Sequence, residues 1–348
     1  MQLSNPSQLL LRSEELLTGA SILVVNFNCD GFAHELRELN PDATICFFSY
    51  NFADGQFAKT HLNVAKIETS VSHQLPQQKF DLVIYYYPKA KAEALMTLDN
   101  IRAVMSDDAT LLVVGEKKGG VKSIEKQLKG LAHGHKVDSA KHCQLYQYSE
   151  IDTLAEFAIS DYEKTFTLER EVAGEKISCK VVSLPGVFNH GQLDDGTALL
   201  LDSLPAYPKA KTLLDFGCGA GIIASFCAKR NPKLKVTGLD VSALAGYATS
   251  QTFAANDIQG EVLLSDGLSE VTSRFDLIVS NPPFHTGLKT DYKITERFFA
   301  SAKEHLNRGG ELTLVANSFL AYPPQLEAQF KHHETIAKTK RFAVYQNR

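Results

Sequence analysis

Short apolar runs alternate with amphipathic stretches along most of this chain, and the alternation is clearest in its second half. Runs rich in Val, Ile and Leu predict buried strands, and the stretches between them carry apolar residues at helical spacing. We predict strands near residues 211–215, 235–239, 261–264, 275–280 and 311–316, helices near 220–230, 242–256 and 291–307, a last strand at 340–346, and an earlier hairpin formed by 166–172 and 176–182. This order predicts an α/β fold in which helices cover a mostly parallel sheet.

The same pattern occurs twice along the chain. The run Ser21–Gly31 matches Lys211–Gly221, and Phe80–Lys89 matches Phe275–Phe284. A repeat of roughly half the chain indicates a duplicated domain rather than a solenoid. We place the boundary in the polar, acidic stretch near 150–165, which predicts two domains, 1–160 and 161–348.

Composition narrows the class of protein. Of the 348 residues, 44% are hydrophobic and 22% are charged, which is typical of a globular protein with a sizeable core. The net charge of −4 argues against nonspecific nucleic-acid binding by the whole surface, so any basic surface must be local. No two of the six cysteines have C-x-x-C spacing, so we expect reduced thiols and no metal. The sequence has no signal-peptide pattern and no bilayer-spanning run, so we expect a cytoplasmic protein.

A glycine-rich loop follows the first strand of the second half. Gly217, Gly219 and Gly221 have G-x-G-x-G spacing, which by itself is equally compatible with a tight strand-to-helix turn. Acidic residues at three successive strand ends add to the pattern: Asp215, Asp240 and Asp266. An acid at the second strand end can accept hydrogen bonds from a ribose diol. The acid at the third strand end is placed to accept one from an adenine amino group. No lysine follows the loop as in a P-loop, so the pattern predicts a site for S-adenosylmethionine rather than for a phosphate.

The tetrapeptide Asn281-Pro282-Pro283-Phe284 follows the strand at 275–280. The side-chain carbonyl of Asn281 and the backbone carbonyl of Pro282 are two acceptors that can hold a planar –NH2 group, and the ring of Phe284 can stack on a base. The alternative is an ordinary proline turn. We predict catalytic roles for Asn281, Pro282 and Phe284, a place for Asn281 in the donor site too, and a wall or phosphate contact for His285.

The first copy differs where this chemistry would lie. Phe27 replaces Gly217, and Tyr85-Tyr86-Tyr87-Pro88 replaces the acceptor motif. A ring at the loop prevents close approach of the backbone to a ligand. We therefore expect the first domain to be degenerate: it keeps the fold and binds no cofactor.

With both motifs placed, the chain resembles the ribosomal RNA small subunit methyltransferase C family over nearly its whole length. The resemblance rests on segments that include Ile84–Lys89, Leu184–Phe188, Asn281–His285 and Val315–Leu320. It implies two tandem class I, Rossmann-like domains, with catalysis by the second. It also implies methylation of a guanine N2 in 16S rRNA, namely guanine 1207, within the assembled small ribosomal subunit.

The resemblance also draws attention to the segment 188–200. In related methyltransferases such a segment closes over the donor, which makes Phe188 and Asp194 candidates for a lid. The alternative is a capped helix start with Asp195 or Thr197 near the N-cap.

A lysine-rich stretch, residues 116–148, carries seven lysines against three acidic residues. A solvated helix face is the plain alternative. We predict that Lys117, Lys118 and Lys122 contact rRNA phosphates, with Lys338, Lys340 and Arg341 as a second candidate group.

Two other functions stay open at this point. The acceptor motif also permits methylation of another amine or amide, such as a large-subunit rRNA guanine or a protein glutamine. A ribosome-assembly RNA chaperone with secondary methylation is the other alternative. We expect a monomer, because an internal domain pair has less need to dimerise.

Overall fold

The computed structural model describes residues 1–62, 67–188, 190–282, 289–320 and 322–348, and for residues 289–294 it describes the backbone only. The chain divides into two compact units, Met1–Tyr162 and Glu163–Arg348. The division lies close to the boundary expected between 160 and 161.

The first unit contains one seven-stranded sheet. Its strands are β1 (Ser21–Val25), β2 (Thr44–Ser49), β3 (Ile67–Val71), β4 (Phe80–Tyr86), β5 (Met105–Glu116), β6 (His133–Asp138) and β7 (Cys143–Ser149). Its helices are α1 (Asn5–Leu10), α2 (Phe32–Leu39), α3 (Phe52–His61), α4 (Lys91–Val104) and α5 (Ile124–Gln127). The core lies between the sheet and its helices and is dominated by fully buried Leu, Ile, Val and Phe side chains.

The second unit begins with a hairpin, β8 (Lys164–Val172) and β9 (Glu175–Ser183), and continues with a second seven-stranded sheet. The sheet strands are β10 (Thr212–Phe216), β11 (Lys235–Asp240), β12 (Glu261–Leu264), β13 (Phe275–Ser280), β14 (Leu306–Asn317), β15 (His333–Lys338) and β16 (Phe342–Asn347). The helices are α6 (Asp195–Ser203), α7 (Ile222–Arg230), α8 (Ala243–Ala254), α9 (Lys289–Glu304) and α10 (Tyr322–Gln329).

Both sheets have the same strand order. The orders are β3-β2-β1-β4-β5-β7-β6 and β12-β11-β10-β13-β14-β16-β15. The chain runs outward from the central strand, β1 or β10, and then returns to pair on that strand's other side. The carboxyl ends of β10 and β13 therefore flank a topological switch point, where open α/β sheets form ligand crevices. The predicted tandem Rossmann-like fold is confirmed.

The hairpin is held on the second sheet's helical layer through α8. The Asn256 side chain accepts from Lys180 N at 2.9 Å and donates to Lys180 O at 2.7 Å. Val182 N donates to Thr252 Oγ1 at 2.9 Å. The predicted hairpin is confirmed, and each of its strands is longer than the pattern indicated.

Two local expectations were incomplete. The sequence did not predict β15, because its side chains are half exposed and carry little apolar alternation. The segment that begins α6 is a capped helix start with Asp195 and Thr197 near the N-cap, as one alternative had it, and the N-cap itself is Asp194, whose carboxylate accepts from Gly196 N and Thr197 N. Among the residues that the structure describes, no helix combines the length and hydropathy needed to cross a bilayer.

Candidate active site

A cavity of about 770 Å³ opens at the carboxyl edge of the second sheet. Its volume is within the usual range for small-molecule sites, roughly 300–1,000 Å³. The loops after β10, β11, β12 and β13 contribute to its lining, and five of the seven residues predicted to bind the donor lie there: Gly217, Gly219, Asp240, Asp266 and Asn281. The fold therefore brings together side chains that lie far apart in the sequence.

The glycine loop after β10 has a backbone that L side chains rarely adopt. Gly217, Gly219 and Gly221 have φ angles of 71°, 55° and 73°. The loop is tied to β11, because Gly217 N and Cys218 N donate to Leu239 O at 2.8 and 2.9 Å. A Cβ on Gly219 would meet nothing within 4 Å, so this backbone borders open space and a ligand can approach it closely.

Asp240 connects the loop to the second strand end. Its Oδ2 accepts from Gly219 N at 3.0 Å, and its Oδ1 accepts from Ser242 N at 2.9 Å. Burial raises the pKa of the Asp240 carboxyl, and these backbone hydrogen bonds oppose that shift. Asp240 thus orders the glycine loop and also lines the cavity. Asp266 follows β12, lines the same cavity and is exposed.

Two residues predicted to bind the donor lie elsewhere. Asp215 is fully buried and does not line the cavity; its Oδ2 accepts from Ala224 N at 3.0 Å, in the first turn of α7. Gly221 does not line the cavity either, and a Cβ there would lie 2.9 Å from Thr249 Cγ2. We therefore correct both assignments: these residues support the loop from behind because they pack inward against helices.

Burial has a marked effect on the pKa of the Asp215 carboxyl. It raises the pKa of this carboxyl from 3.8 to about 7; the nearby Asp240 adds to the shift, and the hydrogen bond from Ala224 N opposes it. Its Oδ1 has no hydrogen-bond partner among the residues that the structure describes.

Asn281 comes directly after β13, and its side chain lies in a defined network. Its Nδ2 donates to Asp194 Oδ2 at 2.8 Å and to Thr197 Oγ1 at 2.9 Å. No described residue donates to its Oδ1. Ser280 Oγ donates to Phe216 O at 2.7 Å, which joins the end of β13 to the end of β10. Among the described residues, the amide oxygen is thus an acceptor without a donor, in a side chain that lines the cavity beside the glycine loop.

The remainder of the acceptor motif is only partly described. Pro282 is buried. Phe284 and His285, for which we predicted base stacking and a wall or phosphate contact, lie outside the described residues.

Sequence reasoning missed several residues of the cavity wall. Thr197 is one, and the α9 residues Arg297, Phe298 and Ser301 are others. Phe298 stacks on Phe216 with ring centroids 4.1 Å apart. The pattern predicted the helix but gave no signal for which of its side chains border the cavity. Of the two proposed lid residues, Phe188 is 57% exposed, and both Phe188 and Asp194 line the cavity.

The first unit has aromatic side chains at the matching positions. Phe27, in the place of Gly217, is buried and packs edge-on against Phe47 with centroids 5.2 Å apart. Tyr86, in the place of Asn281, is buried, and its hydroxyl lies 2.9 Å from Ser7 Oγ. These rings are part of the core of the first unit.

The predicted phosphate-binding lysines lie directly after β5. Lys117 and Lys118 are in a 3₁₀ turn, Lys117–Gly119, and Lys122 is in a second turn, Val121–Ser123. All three are exposed. The alternative of a solvated helix face stays open, because these turns lead directly into the short helix α5 (Ile124–Gln127). No group of three or more His, Cys, Asp or Glu residues in the described part of the chain could hold a metal ion.

Comparisons with known proteins cover almost the whole chain. The family model of the methyltransferase small domain matches residues 178–346, and that of its N-terminal domain matches residues 7–166. The chain is 56% identical over 344 residues to a ribosomal RNA small subunit methyltransferase C from Pseudoalteromonas translucida, covering 99% of this chain and 98% of the relative. A protein of the same name from Pseudoalteromonas atlantica is 42% identical, again over 99% of this chain and 98% of the relative.

Among solved structures, the fold is similar to that of the T. thermophilus 16S rRNA N2 G1207 methyltransferase. That structure was solved in complex with AdoMet and guanosine. The match has a TM-score of 0.79 and covers 97% of this chain and 91% of the other, at 22% sequence identity. It shows that the two-unit architecture is shared.

Proposed function

This chain belongs to the ribosomal RNA small subunit methyltransferase C family, and from that membership we propose that it transfers a methyl group from S-adenosylmethionine to the exocyclic N2 of a guanine in 16S rRNA. The observation that carries the proposal is the position of Asn281. Its Oδ1, to which no described residue donates, belongs to a side chain that lines the same cavity as the glycine loop.

The cavity fits the donor. Gly219 borders open space, and Asp240 and Asp266 line the wall beyond it. The backbone of Gly217 and Gly219 would hold the methionine part of the donor, Asp240 would accept from the ribose hydroxyls, and Asp266 would accept from the adenine amino group. S-adenosylmethionine supplies, when bound, a sulfonium methyl with a very good leaving group.

The protein then has to align an unreactive amine. The N2 lone pair of guanine is delocalised into the ring. Hydrogen bonds from the N2 protons to Asn281 Oδ1 and to the carbonyl of Pro282 hold the amine and favour a pyramidal nitrogen, whose lone pair is directed at the methyl group. The N2–C bond forms as the S–C bond breaks, and the extra proton on N2 then leaves to water. Phe284 supplies a stacking surface for the base, and His285 a wall or phosphate contact.

The two units have separate roles in this proposal. The second performs the chemistry. The first supports the fold, binds no cofactor and contacts the rRNA through Lys117, Lys118 and Lys122, which are exposed in short turns beside one another in the sequence. The protein acts in the cytoplasm as a monomer, its target is guanine 1207, and its substrate is the assembled small subunit.

The test is methyl transfer from tritiated S-adenosylmethionine to small subunits isolated from a strain that lacks this protein, followed by nucleoside analysis. We expect N2-methylguanosine at one site and no label in subunits from a strain that has the protein. Donor binding without label in RNA would refute the proposed reaction. Label in protein instead would identify a protein amide as the acceptor, and no label in either would leave an assembly role.

A further inference from the structure

The amide of Asn281 can act in one orientation only. An asparagine side chain presents an acceptor on one side and two donors on the other, and the active orientation must place the oxygen toward the incoming amine. Both Nδ2 protons are already used, one on Asp194 Oδ2 at 2.8 Å and one on Thr197 Oγ1 at 2.9 Å. A flipped amide would place its oxygen against the Asp194 carboxylate, two acceptors facing each other. The Asp194 and Thr197 oxygens thus select the orientation that leaves Oδ1 for the substrate.

The hydroxyl of Thr197 has a fixed polarity as well. Thr197 Oγ1 donates its proton to Asp194 Oδ2 at 2.6 Å. Since a hydroxyl has one proton, Thr197 can only accept from Asn281. The three side chains therefore form a closed set in which every proton has an assigned acceptor.

The set is anchored to backbone. Asp194 Oδ1 accepts from Gly196 N at 3.1 Å and Oδ2 from Thr197 N at 2.7 Å, so the first turn of α6 holds the carboxylate in place. Thr197 is only 7% exposed. Buried, fully satisfied polar networks are rigid, because any movement of one member leaves another unpaired.

The first unit has a related but different set of contacts at the matching positions. Ser4 is the N-cap of α1, Ser7 has the place of Thr197, and Tyr86 has the place of Asn281. Ser7 Oγ lies 3.0 Å from Ser4 Oγ and 2.9 Å from the Tyr86 hydroxyl. Here the acceptor is not Ser4 but Asp30, whose Oδ2 accepts from Ser7 Oγ at 2.7 Å. Both copies thus have a hydrogen bond between the first turn of a helix and the residue at a strand end. Only in the second copy is that residue an amide.

We propose that Asp194 and Thr197 are positioning residues for methyl transfer. They hold the Asn281 amide in the orientation that accepts the guanine amine, and the carboxylate next to Nδ2 polarises the amide so that Oδ1 is a stronger acceptor. Neither side chain needs to touch the reacting atoms. The inference rests on the proposed function and extends it to the residues behind the acceptor group.

The first experiment measures single-turnover methyl transfer to small subunits by Thr197→Val and Thr197→Ser, with donor affinity measured separately by calorimetry. Thr197→Val keeps the shape and removes the acceptor for Asn281. We expect the rate to fall roughly 10- to 100-fold, the cost of a misplaced reacting group, with donor affinity within about twofold of wild type. Thr197→Ser restores the hydroxyl and most of the rate. The matched control is Ser7→Ala, which removes the corresponding hydroxyl in the first unit and leaves the rate unchanged.

A double-mutant cycle separates positioning from a structural effect. If Thr197 acts through Asn281, then Thr197→Val costs less than about twofold in an Asn281→Ala background. The same loss in both backgrounds would overturn the proposal, as would a full rate for Thr197→Val alone.

Asp194→Ala provides a further test that does not need activity from Asn281→Ala. It removes the oxygen that accepts from Asn281 Nδ2 and from Thr197 Oγ1. We expect methyl transfer to fall by roughly 10- to 100-fold with donor affinity within about twofold of wild type, and an unchanged rate would contradict the proposal. Failure of wild type to methylate subunits would instead refute the proposed function itself.

Discussion

The two units share one topology, but residues of different kinds lie at the carboxyl edges of their sheets. In the second unit, this edge carries Gly217, Asp240 and Asn281 around a cavity of about 770 Å³. In the first, the matching positions carry Phe27, Tyr50 and Tyr86, which are 3%, 6% and 5% exposed. The strand pairing supports the match, since β1 pairs with β2 and with β4 as β10 pairs with β11 and with β13. A fold of this kind therefore does not need its ligand site, and the edge can be filled with rings.

The difference also has an energetic side. Burial of the Phe27 ring contributes about 1.5–3 kcal/mol by removing it from water, and the rings of Tyr50 and Tyr86 add further apolar burial. The second unit forgoes this contribution and retains a buried carboxyl at Asp215, where the first has Val25. A loss of stability at one edge of a sheet is typical of functional sites. The following predictions test the contrast, in decreasing order of their effect on methylation.

The largest effect is expected at the strand end. Asn281→Ala removes the acceptor that holds the amine, and we expect single-turnover methylation to fall by roughly 10²–10³, as when one preorganised hydrogen-bonding group is lost. Donor affinity by calorimetry should stay near wild type. The matched control, Tyr86→Phe, removes the hydroxyl at the corresponding position of the first unit and should leave methylation unchanged. A normal rate for Asn281→Ala would refute the role of the acceptor.

The next effect concerns the donor. Asp240→Ala removes a ribose acceptor and frees Gly219 N and Ser242 N, so we expect donor affinity to fall about 10- to 100-fold, the cost of hydrogen bonds to a charged group. The matched variant Tyr50→Phe breaks the contact between the Tyr50 hydroxyl and Thr97 Oγ1, 3.2 Å apart, and should not change donor affinity. Equal losses from both variants would mean that the edge of the first unit also affects the donor.

The lysine turns after β5 should influence rRNA binding and not the chemical step. Replacing Lys117, Lys118 and Lys122 by Gln should weaken subunit binding and reduce the slope of log affinity against log salt by about 2, at roughly 0.7 per phosphate contact. The control replaces Lys209, Lys211 and Lys233. These lysines are exposed just before β10 and β11, at the edge of the second sheet opposite the cavity. An unchanged slope in the first triple variant would contradict the proposed phosphate contact.

The smallest effect on methylation is expected from Asp215→Asn, which instead changes the pH dependence of stability. The folded pKa of Asp215 is raised from 3.8 to about 7, so between these values the native state holds a proton that the unfolded state has lost. The free energy of unfolding of the wild type should therefore fall as pH rises through this window, by on the order of 1 kcal/mol per pH unit. The variant keeps the acceptor for Ala224 N and lacks this component, so it should be the more stable protein at pH 8. Urea unfolding from pH 5 to 8 measures the difference, and parallel curves for the two proteins would show that Asp215 ionises normally.

Much of the second unit could be predicted from its sequence. The strands β12 and β13 match their predicted bounds, because each is a short apolar run between turn signals. The long strand β14, between β13 and β16, begins several residues earlier than predicted, since residues 307–310 at its start are polar or glycine and are half-buried or exposed. The predicted motif residues Gly217, Gly219, Asp240, Asp266 and Asn281 line one cavity, because loops after parallel strands converge on one edge.

The sequence by itself determined the duplication, the mostly parallel sheets, the glycine loop and the acceptor motif, since each depends on local spacing that the chain displays directly. Only the tertiary structure decided which residues meet. It turned Asp215 and Gly221 inward, and it placed the first turn of α6 against the end of β13, so that Asp194 and Thr197 hold Asn281. These contacts join segments more than 80 residues apart. No periodicity in the chain predicts these contacts, because they depend on how helices and strands pack and not on the pattern within either of them.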